Sequence, residues 1–142
     1  MRKILSALIM GCLLAALTAA PVGAARKKVV KQQWDVIAAP FPGADDHSTP
    51  SEECGVEGVT YGIHTYKTPA KGKLDARING FEGEWDLYVT DSAGRLLGSS
   101  VQFMGTSEER VLIKVPAKTE LQIYACNFLG GPTAHGELKY VY

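Results

Sequence analysis

The sequence lacks helical patterning once its first two dozen residues are set aside. After residue 24, no window of eleven or more residues keeps apolar side chains at the spacing of a buried helix face. This absence excludes helical bundles and folds in which helices cover a parallel sheet. With 142 residues, the chain has room for one domain.

The residue patterns that commonly carry catalysis are also missing. The chain has three histidines and contains neither a His-Glu-x-x-His zinc pattern nor a Gly-x-Ser-x-Gly nucleophile motif. No glycine-rich loop leads into a helix that could hold phosphate. We therefore expect a protein that is not an enzyme, although the fold could still bring His64 together with Ser99 or Ser100 and an acid.

The chain has no excess of positive charge. Its 15 basic and 15 acidic residues give a net charge of zero, and without Arg2 and Lys3 the remainder carries 13 − 15 = −2. A nucleic-acid or anionic-membrane partner requires a concentrated positive field. We expect neither partner, and the basic run Arg26–Lys28 fits a solvated start of the mature chain.

The one long apolar run has the organisation of a secretory signal peptide. Arg2 and Lys3 precede the apolar stretch Ile4–Ala20, and small residues follow it. We predict that residues 1–24 are a cleaved signal peptide. The protein is then secreted, to the extracellular space or the cell envelope, with no membrane attachment after cleavage.

Two alternatives to this cleavage stay open. The apolar run is about the minimum length that spans a bilayer, and Ile9–Cys12 faintly resembles a lipoprotein cleavage box. The run continues through Leu17, so cleavage before Cys12 would leave a hydrophobic N-terminus. Cleavage after the small residues is therefore favoured.

Two cysteines remain outside the signal peptide. Cys54 and Cys126 have one intramolecular pairing, and an exported chain meets an oxidising compartment that permits it. Neither belongs to a Cys-x-x-Cys motif or has a histidine at metal-ligand spacing. We predict a Cys54–Cys126 disulfide.

Residues 25–58 show little regular pattern, because prolines and the polar cluster Asp45–Thr49 interrupt them repeatedly. We predict an extended linker and N-terminal segment laid over the domain. One short strand at Lys31–Ala38 would attach it.

From residue 59 onward, short alternating stretches and turns follow one another. The predicted strands are Tyr61–Thr68, Lys73–Gly80, Glu84–Thr90, Arg95–Ser100, Glu109–Val115, Thr119–Cys126 and Gly136–Tyr142. Seven or eight strands predict an all-β fold, an antiparallel β-sandwich of jelly-roll type over residues 59–142, with a closed barrel as the second choice. Outward charges discourage pairing between copies, so we expect a monomer.

The strand Glu84–Thr90 has the most informative alternation. Every second residue from Trp85 to Val89 is apolar and is predicted to face the core, which leaves Tyr88 on the other face. Tyr88 and Tyr66 are the candidates for an exposed platform that binds a ligand. Packing on the sheet is the other fate open to both tyrosines.

Four stretches of the strand region carry a resemblance to a known family. They are Gly72–Ala76, Gly80–Val89, Gly98–Ser100 and the pair Glu108-Glu109 before an apolar strand. Over roughly residues 58–142 the chain resembles the bacterial pre-peptidase C-terminal domain, whose recurrent mark is Gly-acid-x-Asp-Leu-Tyr-Val. That family is a secreted β-sandwich that usually follows an extracellular peptidase and also serves as a binding module.

The resemblance implies a role without catalysis. No peptidase domain precedes the predicted sandwich, so we expect a secreted non-catalytic module with a binding or structural role. Its partner would be an extracellular protein or a polysaccharide. The alternative is an accessory or inhibitor-like partner of a separately encoded secreted peptidase.

The resemblance also implies a candidate calcium site, because relatives in collagenases bind calcium. Glu84 and Asp86 match the two acids of the family motif, and Asp91 adds a carboxylate at the following turn. The alternative for Asp86 is structural, since a buried carboxylate can accept hydrogen bonds from backbone amides of a neighbouring turn.

Overall fold

The structure, a computed structural model, describes residues 26–41, 50–102 and 106–142. The predicted signal peptide, Cys12 and His47 lie outside the described residues. The elements are β1 (Val29–Ile37), α1 (Pro50–Glu53), β2 (Tyr61–Lys67), β3 (Gly72–Asn79), β4 (Gly83–Asp91), β5 (Leu96–Ser100), β6 (Glu108–Val115), β7 (Glu120–Gly130) and β8 (Thr133–Val141). Within the described part, no helix has the length and apolarity needed to cross a bilayer.

Two four-stranded antiparallel sheets form a sandwich. The first sheet has the order β1-β8-β3-β6 and the second has the order β2-β7-β4-β5. The first strand pairs with the eighth, the second with the seventh, the third with the sixth and the fourth with the fifth. The chain is thus one long hairpin rolled up on itself. This is the connectivity of a jelly roll, so the predicted fold is confirmed.

The sandwich begins earlier than residue 59. β1 pairs with β8 in register over its whole length, from Val29 opposite Val141 to Ile37 opposite Thr133. The strand expected to tie down a linker is therefore an integral edge strand of the first sheet. It belongs there because the inward side chains Trp34 and Val36 pack against the core.

The core lies between the two sheets and follows the strand alternation. Trp85, Leu87 and Val89 are at most 1% exposed, as predicted for this face of β4. The other large side chains with less than 2% exposure in this core include Leu74, Ile78, Leu121, Ile123, Leu138 and Tyr140. Burial of one face per strand sets the pairing register, because a slip by one residue would exchange the two faces.

An indole ring connects the two sheets at the edge where β1 and β2 meet. Trp34 of β1 lies across its register partner Gly136 of β8, where a Cβ would be 2.1 Å from Trp34 Cε2. The same indole stacks on His64 of β2, with ring centroids 4.1 Å apart and planes at 6°. Gly136 therefore provides the space that lets Trp34 bridge the sheets.

We expect Gly136→Ala to lower the free energy of unfolding by about 1–3 kcal/mol, because an added methyl must displace the indole. Gly131→Ala is the matched control, since its Cβ would meet Glu82 Cβ at an ordinary 3.5 Å. Urea unfolding of both variants measures the difference. Equal midpoints for the two variants would contradict the role assigned to Gly136.

Candidate functional site

The two sheets differ in what lies on their outer faces. On the second sheet, the chain that follows α1 covers the strands and forms a small buried cluster. Its members are Cys54, Tyr61, Tyr88, Tyr124 and Cys126. On the first sheet, the outward side chains are exposed or half-buried. The molecule therefore has one outer face partly covered by its own chain and one that is open.

A disulfide attaches the covering segment to the second sheet. Cys54, directly after α1, is bonded to Cys126 of β7, with Cα atoms 5.3 Å apart. The Thr60 hydroxyl donates a hydrogen bond to the Cys54 carbonyl at 2.5 Å. The structure thus contains the predicted bond. Disulfides persist in oxidising compartments, which indicates a location outside the cytoplasm.

Asp86 and Tyr88 lie beneath this covering segment. Asp86 is 8% exposed and Tyr88 is 4% exposed. The Tyr88 hydroxyl donates to Asp86 Oδ2 at 3.0 Å, whereas Asp86 Oδ1 is buried without a hydrogen-bond partner among the described residues. The observed donor to this carboxylate is therefore a tyrosine hydroxyl, where the sequence suggested backbone amides.

The environment of Asp86 favours its neutral form. Burial, together with the nearby carboxylates of Glu84, Glu109 and Glu53, raises the pKa of Asp86 to about 7 against the opposing effect of the Tyr88 hydrogen bond. Burial also raises the pKa of Tyr88, and the adjacent Asp86 carboxylate adds to that rise. Shifted carboxyl groups occur at functional sites and in buried structural networks. The covering segment keeps this one away from any substrate, so we assign it to structure.

The prediction that Tyr66 and Tyr88 form an exposed platform is wrong. Tyr88 is buried under the covering segment, and Tyr66 is 8% exposed and packs in the core with its ring centroid 5.4 Å from that of Tyr140. Tyr88 does face away from the core, as its alternation predicted. Alternation along one strand does not reveal that a remote segment, held by Cys54, closes this face.

The three candidate calcium ligands do not form a group. Asp91, at the far end of β4 from Glu84, accepts hydrogen bonds from the backbone of Ala93 and from the backbone and side chain of Arg95. Asp86 is engaged by Tyr88. In the described ranges, no three His, Cys, Asp or Glu side chains lie close enough together to hold a metal ion. Calcium binding therefore stays a prediction.

The serine and histidine arrangement left open by the sequence is not assembled. His64 on β2 and Ser100 on β5 belong to opposite edge strands of the second sheet. His64 Nε2 is 2.8 Å from Gln32 Oε1, and the Ser100 hydroxyl donates to the buried carboxylate of Glu109. Both polar groups therefore have structural partners.

The outer face of the first sheet is a lattice of charged and polar side chains, which we call the open face. Its central members are Lys31, Gln33 and Asp35 on β1, His135, Glu137 and Lys139 on β8, Lys73, Asp75, Arg77 and Asn79 on β3, and Glu108, Arg110, Leu112 and Lys114 on β6. The alternation of β3 predicted the four residues that this strand contributes. The other strands supply the rest of the lattice.

Arginine side chains organise the centre of the open face. Arg77 lies 3.0 Å from Asp75, 3.5 Å from Glu108 and 3.9 Å from Glu137. Arg110 donates two hydrogen bonds to Asp75, each of 2.8 Å, and these bonds hold the pKa of the Asp75 carboxyl below its usual value. Exposed ion pairs stabilise a fold only slightly, so the network chiefly positions the side chains.

A trough of about 430 Å³ crosses the open face above β8. Its walls come from β1 and β3 and its floor from β8; the polar lining residues are Lys31, Gln32, Gln33, Asp75, Arg77, Glu137 and Lys139. The volume is in the range of ligand sites in proteins. The lining presents hydrogen-bond donors and acceptors of both charge signs. Sequence reasoning missed this trough, because it depends on β1 and β8 being neighbours.

Comparison with known proteins finds similar solved structures of low sequence identity. No protein-family model matches the chain, and no curated protein sequence matches it. A solved structure of the pre-peptidase C-terminal domain of a collagenase from Bacillus anthracis is similar, with 9% identity, a TM-score of 0.49, and coverage of 77% of this chain and 85% of that chain. A pre-peptidase C-terminal domain is thus among the similar structures, as the sequence motif predicted.

A second similar structure is PliG from Aeromonas hydrophila, a periplasmic lysozyme inhibitor of g-type lysozyme. It shares 10% identity with a TM-score of 0.41, and the match covers 82% of this chain and 86% of that chain. At these identities and scores we infer no shared function from either structure. The chain is an all-β protein whose two antiparallel sheets form a sandwich.

Proposed function

We propose that the protein is a secreted, non-catalytic β-sandwich module that binds a partner outside the cytoplasm through the open face. The observation that carries the proposal is the trough above β8, with its ordered, charged lining. The outer face of the second sheet is partly covered by the protein's own chain around the Cys54–Cys126 disulfide. The open face has no such cover among the described residues, so we assign the binding surface to it.

The centre of the open face is suited to recognition because its arginine, glutamine and acidic side chains are held in place by contacts with one another. Arg77 joins acids from two neighbouring strands, and the Gln33 amide donates to Glu137 at 3.3 Å across the floor of the trough. Side chains that are ordered before binding lose less conformational entropy when a partner arrives. The trough can thus offer fixed donors and acceptors to a polar ligand.

The absence of catalysis in this proposal rests on how the described histidines are used. His64 contacts Gln32 and stacks on Trp34, while His135 Nδ1 is 2.9 Å from Asp35. Neither arrangement activates a nucleophile. Asp86, whose pKa is raised to about 7, is buried on the other sheet.

A tryptophan placed in the trough tests the proposal. Gln33 and Thr65 are both exposed, outward-facing residues of edge strands, on the first and second sheet respectively. The mature protein would be passed over immobilised collagen, extracellular polysaccharide and secreted peptidases. We expect Gln33→Trp to weaken retention on the bound matrix by about tenfold or more, as blocking a buried contact does, and Thr65→Trp to leave retention unchanged.

The outcomes separate the proposal from its alternatives. Equal loss of retention in both variants, or no loss in Gln33→Trp, would place the binding surface elsewhere. Retention on none of the matrices would remove the support for a binding module. Retention on a peptidase alone, with the same dependence on Gln33, would identify the partner as a secreted peptidase.

A further inference from the structure

One half of the open face carries four lysines in a diagonal row across the first sheet, which we call the lysine row. Each strand contributes one lysine: Lys31 from β1, Lys139 from β8, Lys73 from β3 and Lys114 from β6. Lys31 is the register partner of Lys139, and Lys73 is the register partner of Lys114. Lys73 lies opposite Val141, two residues along β8 from Lys139, so the two pairs are offset by about 7 Å along the strands. With neighbouring strands about 4.8 Å apart, the diagonal row is about 16 Å long.

No carboxylate in the described part of the chain compensates the charges of this row. None of the four lysines forms an ion pair among the described residues. Asp75, the acid that lies opposite Lys139, is bonded instead to Arg110 and Arg77. Like charges placed directly opposite each other destabilise a sheet. The row therefore has a cost that the fold alone does not explain.

Protection of the sheet edges against pairing with other chains explains at most two of the four lysines. Lysines on edge strands discourage pairing with other chains, and Lys31 and Lys114 lie on the edge strands β1 and β6. Lys139 and Lys73, however, lie on the central strands β8 and β3, whose edges are already paired. An anionic ligand that lies across the strands would contact all four.

Apolar side chains among the lysines indicate the class of this ligand. Leu112 is 63% exposed and Val29 is 52% exposed, and both lie in the lysine half of the open face. A second depression of about 290 Å³ is lined by Lys73, Leu112 and Lys114 together. A ligand that carries both carboxylates and apolar groups matches this surface, and an anionic polysaccharide has no apolar side groups to fill it.

Carboxylates at the opposite end of the open face limit how far a negatively charged ligand can extend along the strands. Asp35 and Glu108 lie there, four residues along β1 from Lys31 and six residues along β6 from Lys114. A long polyanion directed along the strands would meet these carboxylates and be repelled. A short acidic stretch laid across the strands avoids them.

We propose that the lysine row binds a short, extended, acidic segment of a partner protein, with apolar residues of that segment packed on Leu112 and Val29. This inference rests on the proposed function, since it assigns a ligand class to the same face. The attraction between the lysines and the acidic segment is chiefly electrostatic. It therefore weakens as salt shortens the distance over which the charges act.

The test uses three probes and backbone amide chemical shifts of the mature protein. The first probe is a peptide of about eight residues, alternating glutamate and leucine, which is long enough to cross the row. The second has glutamine in place of each glutamate, and the third is polygalacturonate. We expect the acidic peptide to shift the amides of the four lysine positions, with affinity falling at least about tenfold between about 0.05 M and about 0.5 M salt. The glutamine peptide should leave those amides in place.

Charge reversal completes the test. The double variant Lys73→Glu with Lys114→Glu should bind the acidic peptide about tenfold or more weakly than the parent does. The neutral pair Lys73→Gln with Lys114→Gln should lower the affinity less. The matched control, Lys67→Glu with Lys118→Glu, reverses two exposed lysines away from the open face and should bind as the parent does.

Three results would overturn the inference. These are equal binding of the glutamine peptide, insensitivity to reversal of Lys73 and Lys114, or tighter binding of polygalacturonate than of the acidic peptide. If Gln33→Trp abolishes retention on a matrix partner and lysine reversal preserves it, the proposed function stands and the proposal of an acidic ligand is rejected. If both variants still retain the partner, the proposed function and the acidic ligand are both contradicted.

Discussion

Replacing Cys54 and Cys126 together by alanine is expected to lower the free energy of unfolding by about 4 kcal/mol. The bond joins residues 72 positions apart, and closing so long a loop restricts the unfolded chain strongly. In the folded state the same bond holds the covering segment on the second sheet. Its removal therefore also weakens the burial of Asp86 and Tyr88.

Urea unfolding at neutral pH measures this effect. The parent protein treated with a thiol reductant should match the double alanine variant, while the reductant should leave the variant unchanged. An unaltered midpoint in the variant would show that the covering segment and the sandwich are stable without the bond. A single Cys54→Ala variant is not a clean control, because it exposes a free thiol at Cys126.

Asp86→Asn is expected to stabilise the protein at pH 8 and to flatten its stability between about pH 4 and about pH 7. The pKa of Asp86 is raised to about 7 in the folded protein, against about 3.9 for an aspartate in an unfolded chain. Below about pH 4 the carboxyl is protonated in both states. As the pH rises towards 7, the unfolded chain has released this proton and the folded protein still holds it.

The parent protein therefore loses stability as the pH rises through this window, and the loss is complete above about pH 7. Its size is on the order of a few kcal/mol, since each unit of pKa difference corresponds to about 1.4 kcal/mol. Asparagine has no proton to release, and its side-chain oxygen can still accept the hydrogen bond from Tyr88. Urea midpoints of parent and variant at pH 4.5, 6 and 8, spanning this window, check the prediction.

Asp91→Asn is the matched control on the same strand. Hydrogen bonds from the backbone of Arg95 and of Ala93, with the charge of Arg95, lower the pKa of Asp91. Its contribution is therefore lost as the pH falls, which is the opposite sign. We expect Asp91→Asn to keep the decline between pH 4 and pH 7 that Asp86 causes. A parent protein whose stability rises steadily through this window would contradict the assignment to Asp86.

The two predictions are linked through the covering segment. Burial of Asp86 depends on the chain around α1, and the disulfide holds that chain in place. The double cysteine variant should thus show a weaker decline of stability between pH 4 and pH 7 than the parent does. The cluster on the outer face of the second sheet forms a small second core. The disulfide stabilises this core and so offsets the free energy cost of burying its polar groups.

Local sequence was sufficient for the strands and for the inward face of β4, although it misplaced Tyr66 of β2, which packs in the core. Trp85, Leu87 and Val89 alternate with polar residues, and a strand exposes successive side chains to opposite sides, so the buried set could be read directly. The disulfide followed from counting, because Cys54 and Cys126 have one pairing outside the predicted signal peptide. The pairing of β1 with β8 agrees with the predicted jelly-roll fold.

Tertiary structure alone decided what each outer face became. Tyr88 faces outward as its alternation predicts, yet a segment attached through Cys54 buries it. Lys31 and Lys139 are 108 positions apart in the sequence, and they become opposite neighbours only because β1 pairs with β8. Alternation determines the side of a strand on which a residue lies. Which strand or segment lies beside it depends on long-range pairing, because the hydrogen bonds and the cross-link that create it join distant parts of the chain.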